Sequence, residues 1–73
     1  MAARLRQSKE DGALYLGEIR VAEYEKAPWG TCERFRISGA VGWSHRYEYS
    51  DDCMQDCESE VRRLLKEAGV DCE

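Results

Sequence analysis

The sequence predicts an α+β domain: a three-stranded antiparallel β-meander followed by one C-terminal α-helix packed on one sheet face (β-β-β-α). Three observations point there. Val41, Trp43, His45, Tyr47 and Tyr49 recur at every second position, the period of a strand with one apolar and one wet face. Short breaks at Pro28–Gly30 and Ser38–Ala40 separate extended stretches, and connections that short favour antiparallel neighbours. Cys53, Cys57, Val61, Leu64, Leu65 and Ala68 follow helical spacing and form one apolar stripe.

The elements follow in order. Residues 1–12 read as a polar arm, with a short helical turn over 2–7. Residues 13–25 read as a long first strand. Its phase slips near Gly17, because Leu14 and Leu16 lie in one register and Ile19 and Val21 in the other; a bulge at Gly17 would absorb the slip. Residues 26–30 form a turn, 31–38 the second strand, and 41–49 the third, so that 13–49 make the sheet. The helix spans 50–69. Ser50 or Asp52 caps it, Asp51, Asp52 and Asp56 complement its dipole, and Gly69-Val70 is a Schellman stop. Residues 70–73 are a tail. The stripe is expected to lie on the face carrying Phe35, Trp43 and Tyr47.

Seventy-three residues make a single small domain, 1–73. Leu, Ile, Val and Phe together number only 12, but the net charge is just −4 and two Trp and four Tyr add apolar bulk. A core this small leaves a few kcal/mol of stability at roughly 25 cal/mol per Å², so the chain is expected as a monomer or a homodimer. The first residues are charged from Arg4 onward and contain no apolar stretch resembling a secretory signal. No run approaches the ~20 apolar residues of a membrane span. The expectation is a cytoplasmic protein (host cytoplasm if viral), not bound to membrane, with its four cysteines mostly reduced.

Charge is uneven along the chain. Residues 1–49 hold seven acids and eight bases, net +1, whereas residues 50–73 hold eight acids and three bases, net −5. If the three strands form one sheet, Arg20, Arg34, Arg36 and Arg46 leave from the side opposite the core. Two readings of that face stand. It can be an ordinary solvated face, its arginines paired across strands with Glu18, Glu33 or Glu48. Alternatively it can meet nucleic acid or an acidic partner, since guanidinium grips phosphate and carboxylate bidentately.

A three-stranded sheet followed by one helix resembles the AP2/integrase-type DNA-binding domains, and Pro28-Trp29-Gly30 before an Arg-bearing strand looks like the PWG turn of AP2 domains. The resemblance implies that Arg34 and Arg36 face the major groove, with Trp29 beside them. The chain departs from that family in lacking an Ala-rich helix face, in Gly42-Trp43, and in its net acidity.

The helix offers the opposite charge. Asp52, Asp56 and Glu60 lie at i, i+4 and i+8 on one flank, with Asp51, Glu58, Glu67, Asp71 and Glu73 nearby. One reading is a solvated face with a Glu58–Arg62 pair. The other is a DNA-mimic surface whose carboxylates occupy an Arg/Lys channel built for phosphates. In general character such a chain is similar to phage-encoded inhibitors, including anti-CRISPR proteins.

Cys53-x3-Cys57 with His45 suggests metal, but no fourth ligand follows: Cys32 alternates with Phe35 and so points away from His45, and Cys72 lies past the helix stop. Cys53 and Cys57 read instead as small core residues. His45 reads as a packed strand histidine, with no third orienting group or phosphate loop to make an active site. The expectation is therefore no metal, no cofactor and no catalysis. The chain reads as a non-enzymatic binding protein that inhibits or regulates a nucleic-acid-handling protein or nucleoprotein complex. Asp51, Asp52, Asp56, Glu60 and Glu67 are its contact residues. The alternative is a nucleic-acid-binding module using Arg20, Arg34, Arg36, Arg46 and Trp29.

Overall fold

The computed structural model describes residues 4–70. A four-stranded antiparallel sheet, ordered along the chain, is covered on one face by a C-terminal helix. The class is the expected α+β, but the strands are four rather than three, and they are distributed differently.

The first strand, β1, is Leu5–Ser8, inside the region read as a polar arm or helical turn. Leu5 is only 7% exposed and anchors it in the core. It pairs with β2, Ala13–Leu16, from Leu5↔Leu16 to Ser8↔Ala13. The turn between them is closed by the Gly12 amide donating to the Ser8 carbonyl at 3.0 Å. Residues 1–3 of the expected arm lie outside the described residues.

The long first strand is in fact a hairpin. Gly17 has φ of +63°, and the chain reverses so that Leu16 faces Ile19 at the start of β3, Ile19–Ala27. A positive φ is cheap for glycine alone, so the turn sits where a bulge was expected. The bulge exists one step further on: Leu14 pairs with Ala22 and Tyr15 with Arg20, leaving Val21 unpaired. Ala22 and Tyr24 thereby reach the core face with Leu14.

Pro28 and Trp29 turn the chain into β4, Gly30–Ile37. Tyr24 pairs with Phe35 and Glu25 with Arg34, but two residues later Ala27 pairs with Gly30. β4 thus carries two extra residues in this interval. The irregularity resets its faces, so Cys32 shares the core side with Phe35 and is fully buried. Simple alternation had pointed Cys32 the other way.

Residues 41–49, expected as a third strand, form no strand. They run along β4 as an irregular strap. The Ser44 amide donates to the Phe35 carbonyl at 2.8 Å and the Tyr47 amide to the Glu33 carbonyl at 2.7 Å. Ser44 Oγ accepts from the Phe35 amide at 3.0 Å. Three residues of strap span two of β4, so no ladder can form. The strap still satisfies backbone groups along an edge that would otherwise be open. Its aromatics diverge: Tyr47 packs beside Phe35 on the core side, whereas Trp43 lies over arginines on the outer face.

The helix, α1, is Ser50–Glu67. Its N-cap is Tyr49, with no side-chain cap, because Ser50 Oγ instead accepts from the Cys32 amide at 3.1 Å. The predicted Schellman stop is present: the Val70 amide donates to the Leu65 carbonyl at 2.9 Å and the Gly69 amide to the Lys66 carbonyl at 3.1 Å. Cys53, Met54, Cys57 and Val61 are buried and Leu65 packs against them. Leu64, at 38% exposed, and Ala68 fall outside the core. A Cys32–Cys53 disulfide joins β4 to the helix with a Cα–Cα distance of 6.1 Å, inside the range a disulfide spans. These two cysteines are therefore paired, not reduced, while Cys57 is free and buried. No helix among the described residues is long and apolar enough to cross a membrane.

Candidate interaction surfaces

Strand alternation sends Glu23 and Glu25 of β3 and Arg34 and Arg36 of β4 to the face away from α1. The register sets Glu25 opposite Arg34 and Glu23 opposite Arg36. Arg34 Nε and Nη2 grip both Glu25 oxygens at 2.8 and 2.7 Å, a fork-on-carboxylate pair. Arg36 binds Glu23 through Nε at 2.7 Å and through Nη2. From the strap, Arg46 reaches Glu33 at 2.8 Å and Glu25 at 3.6 Å. Hydrogen bonding to Arg34 holds the Glu25 carboxyl below its ordinary range and raises the arginine in turn.

Trp43 covers this ladder, with the Arg34 and Arg36 guanidinium carbons 5.2 and 4.8 Å from its ring centre. A second sandwich stands further along the sheet. Arg6 and Arg20 lie 4.8 and 5.9 Å from the Tyr15 ring, and Arg20 Nη2 donates to the Tyr15 hydroxyl at 3.5 Å. Arg20 therefore does not join Arg34, Arg36 and Arg46 in the ladder. Of the expected glutamate partners only Glu33 serves; Glu23 and Glu25 were missed. Period-two reading of 19–27 would have found them, since both share the face of Arg34 and Arg36 across the hairpin.

The acidic helix is partly answered from within. Arg63 binds Glu60 and, at 3.1 Å, Glu67. Glu58 and Arg62 form the anticipated i, i+4 pair at 3.5 Å. Asp56 Oδ2 accepts from the Tyr47 hydroxyl at 2.8 Å. Burial, then this bond, pushes the Tyr47 hydroxyl up to about 12. The row Asp52, Asp56, Glu60 is thus interrupted at Glu60, and Glu67 is engaged as well. Asp51 and Asp52 are exposed and form no ion pair with any described residue. Asp71 and Glu73 lie outside the described residues.

Trp29 does not join the arginine face. It sits at the β3–β4 turn and lines an open cleft of about 310 Å³ with Thr31, Glu48, Tyr49 and Asp51. Trp29 and Tyr49 are 52% and 66% exposed. Close packing at the base of this cleft depends on Gly30, where a Cβ would overlap Ser50 Oγ. Glu48 and Tyr49 carried no site reading in the sequence, because the strand pattern absorbed them.

The cysteines and histidine do not assemble. Cys53 is in the disulfide, and burial pushes the Cys57 thiol up to about 12. His45 is exposed and stacked on Tyr47 at 4.2 Å, not packed in the core. Among the described residues no three His, Cys, Asp or Glu side chains are grouped to hold a metal ion. Cys72 lies outside them. Compared with protein-family models, curated proteins and solved structures, the chain matches none.

Proposed function

We propose that this protein is a small non-enzymatic binding protein that regulates or inhibits a nucleic-acid-handling complex by direct protein contact, through its acidic end. One observation carries the reading: Glu48, Asp51 and Asp52 meet no cation among the described residues, whereas Arg34, Arg36 and Arg46 each meet a glutamate. Surface carboxylates left without internal partners steer and select basic partners. Basic channels that handle nucleic acid are partners of that kind. A phosphate backbone meeting the outer face would have to displace glutamates already bound to its arginines, so the Arg-face alternative is disfavoured.

The test is capture of a partner from nuclease-treated lysate by the protein and by two variants. Asp51, Asp52 and Asp56 all changed to Lys should abolish capture while circular dichroism stays native. Arg34→Ala with Arg36→Ala should retain it. The opposite pattern, with salt-dependent duplex binding by the unchanged protein, would establish the nucleic-acid-binding module instead.

A further inference from the structure

We propose that the cleft between the β3–β4 turn and the start of α1 receives an arginine side chain from a partner protein, laid against Trp29 and Tyr49 and paired with Glu48 or Asp51. The inference rests on the protein-contact reading above and names the chemistry of the contact.

The walls define the guest. Two large aromatic residues, Trp29 and Tyr49, each more than half exposed, line the cleft together with Glu48 and Asp51. Its volume of about 310 Å³ stands at the lower end of ligand-sized clefts, roughly 300–1,000 Å³. A planar cation with both an aromatic-facing plane and a hydrogen-bonding fork suits both kinds of residue in this lining. Guanidinium has both, whereas an ammonium brings charge and three donors but no planar face and no fixed fork.

Electrostatics selects the same sign. The helix N-terminus contributes about half a positive charge. Glu48, Asp51 and the adjoining Asp52 contribute three negative ones, and no described cation pairs with them. The cleft therefore stays negative and repels phosphate.

The same chain shows what completes such a site. Tyr15 carries Arg6 and Arg20, and Trp43 carries Arg34 and Arg36 with glutamates behind them. Trp29 and Tyr49 have the aromatic and acidic parts of that arrangement without the arginine. The base of the cleft is also held in place. Ser50 Oγ is bound to the Cys32 amide, and the Cys32–Cys53 disulfide pins the helix start to β4 beneath it. A held cleft loses less freedom on binding than a loose one.

The probe is the peptide acetyl-Gly-Arg-Gly-amide, titrated at low salt into isotope-labelled protein, with its citrulline counterpart as the uncharged isostere. Saturable shifts are expected at the Trp29 indole and the Tyr49 and Asp51 amides, with the Trp43 indole unmoved. Trp29→Ala or Asp51→Asn should weaken the response roughly three- to tenfold, and Trp29→Phe should keep most of it. Equal shifts with citrulline, or shifts centred on Trp43, would overturn the proposal. If the peptide leaves the cleft silent while the Asp→Lys variant still loses its lysate partner, the cleft assignment fails and the acidic-contact reading survives. If the peptide binds as expected but that variant, which changes Asp51 in the cleft lining, keeps its partner, the cleft binds guanidinium but is not the contact with that partner, and both the docked partner arginine and the broader reading fail.

Discussion

Arg34, Arg36 and Arg46 on the outer sheet face each meet a glutamate of the same chain, whereas Glu48, Asp51 and Asp52 around the start of α1 meet no described cation. Both regions combine aromatic rings with charge. They differ in how their residues are brought together. On the sheet, strand register places donor and acceptor directly opposite, so folding itself completes each pair. At the helix start the residues come from a turn, a strap and a first helical turn, and no register supplies a counter-ion. A charged surface is therefore informative about partners only after its internal pairs are subtracted. The more arginine-rich face is the less available one.

The largest effect expected comes from the link between the two regions. The Cys32–Cys53 disulfide closes a sequence separation of 21 residues, which the chain-entropy model values at about 3 kcal/mol. Reduction should lower stability by about that amount. Hydrogen exchange should accelerate first in residues 29–32 and 49–54, while the β1–β2 and β2–β3 hairpins keep their protection. Uniform acceleration across the chain would mean that sheet and helix start are one cooperative unit, with no difference in local stability between the two regions.

The two regions were unequally legible in sequence. The helix and its stop were readable because helical spacing and Gly69-Val70 are local signals. Met54 escaped although it fits the same stripe, three residues before Cys57 and seven before Val61. β1 escaped because Leu5 is its only core residue and three polar neighbours hide it. The strap is the instructive failure. Alternation over 41–49 is perfect as a pattern, yet the segment is held to β4 by two backbone bonds spaced unevenly on its two sides. Alternation reports which residues can face a core and does not report whether a ladder forms. Cys32 teaches the same lesson in reverse, since the irregular pairing between Glu25 and Ala27 breaks the alternation by which Cys32 would face away from Phe35. The Trp29 cleft rests on both departures from simple alternation, because Tyr49 stands at the helix N-cap and the Cys32 amide donates to Ser50 Oγ.

A second experiment removes the subtraction. Changing Glu23 and Glu25 together to Gln would release Arg34 and Arg36 and leave Arg46 only Glu33. The melting temperature should fall modestly, and the double variant should acquire weak duplex DNA binding absent from the parent. If three arginines then engage phosphates, doubling the salt should weaken that binding roughly sixfold. Parent protein that already binds DNA with the same salt slope would show that the glutamates do not mask the face.

The smallest effect separates charge pairing from core burial by pH. Hydrogen bonding to Arg34 lowers Glu25 and hydrogen bonding to Arg63 lowers Glu60. A lowered folded-state pKa means the unfolded chain takes up the proton first as pH falls. The stability these glutamates contribute is complete above their ordinary value of 4.5 and is lost as pH drops through the lower folded value. Burial, then Glu58, raises Cys57, which has the opposite consequence: its contribution is complete below the ordinary value of 9.0 and disappears as pH climbs toward about 12. Thermal melts across pH should therefore give a plateau with two limbs of separate origin. Glu25→Gln should flatten part of the acid limb and leave the alkaline one. Cys57→Ala should delay the onset of the alkaline limb and leave the acid one. A variant that moved both limbs together would place the outer ladder and the buried thiol in one coupled network, and would break the division between paired surface and core.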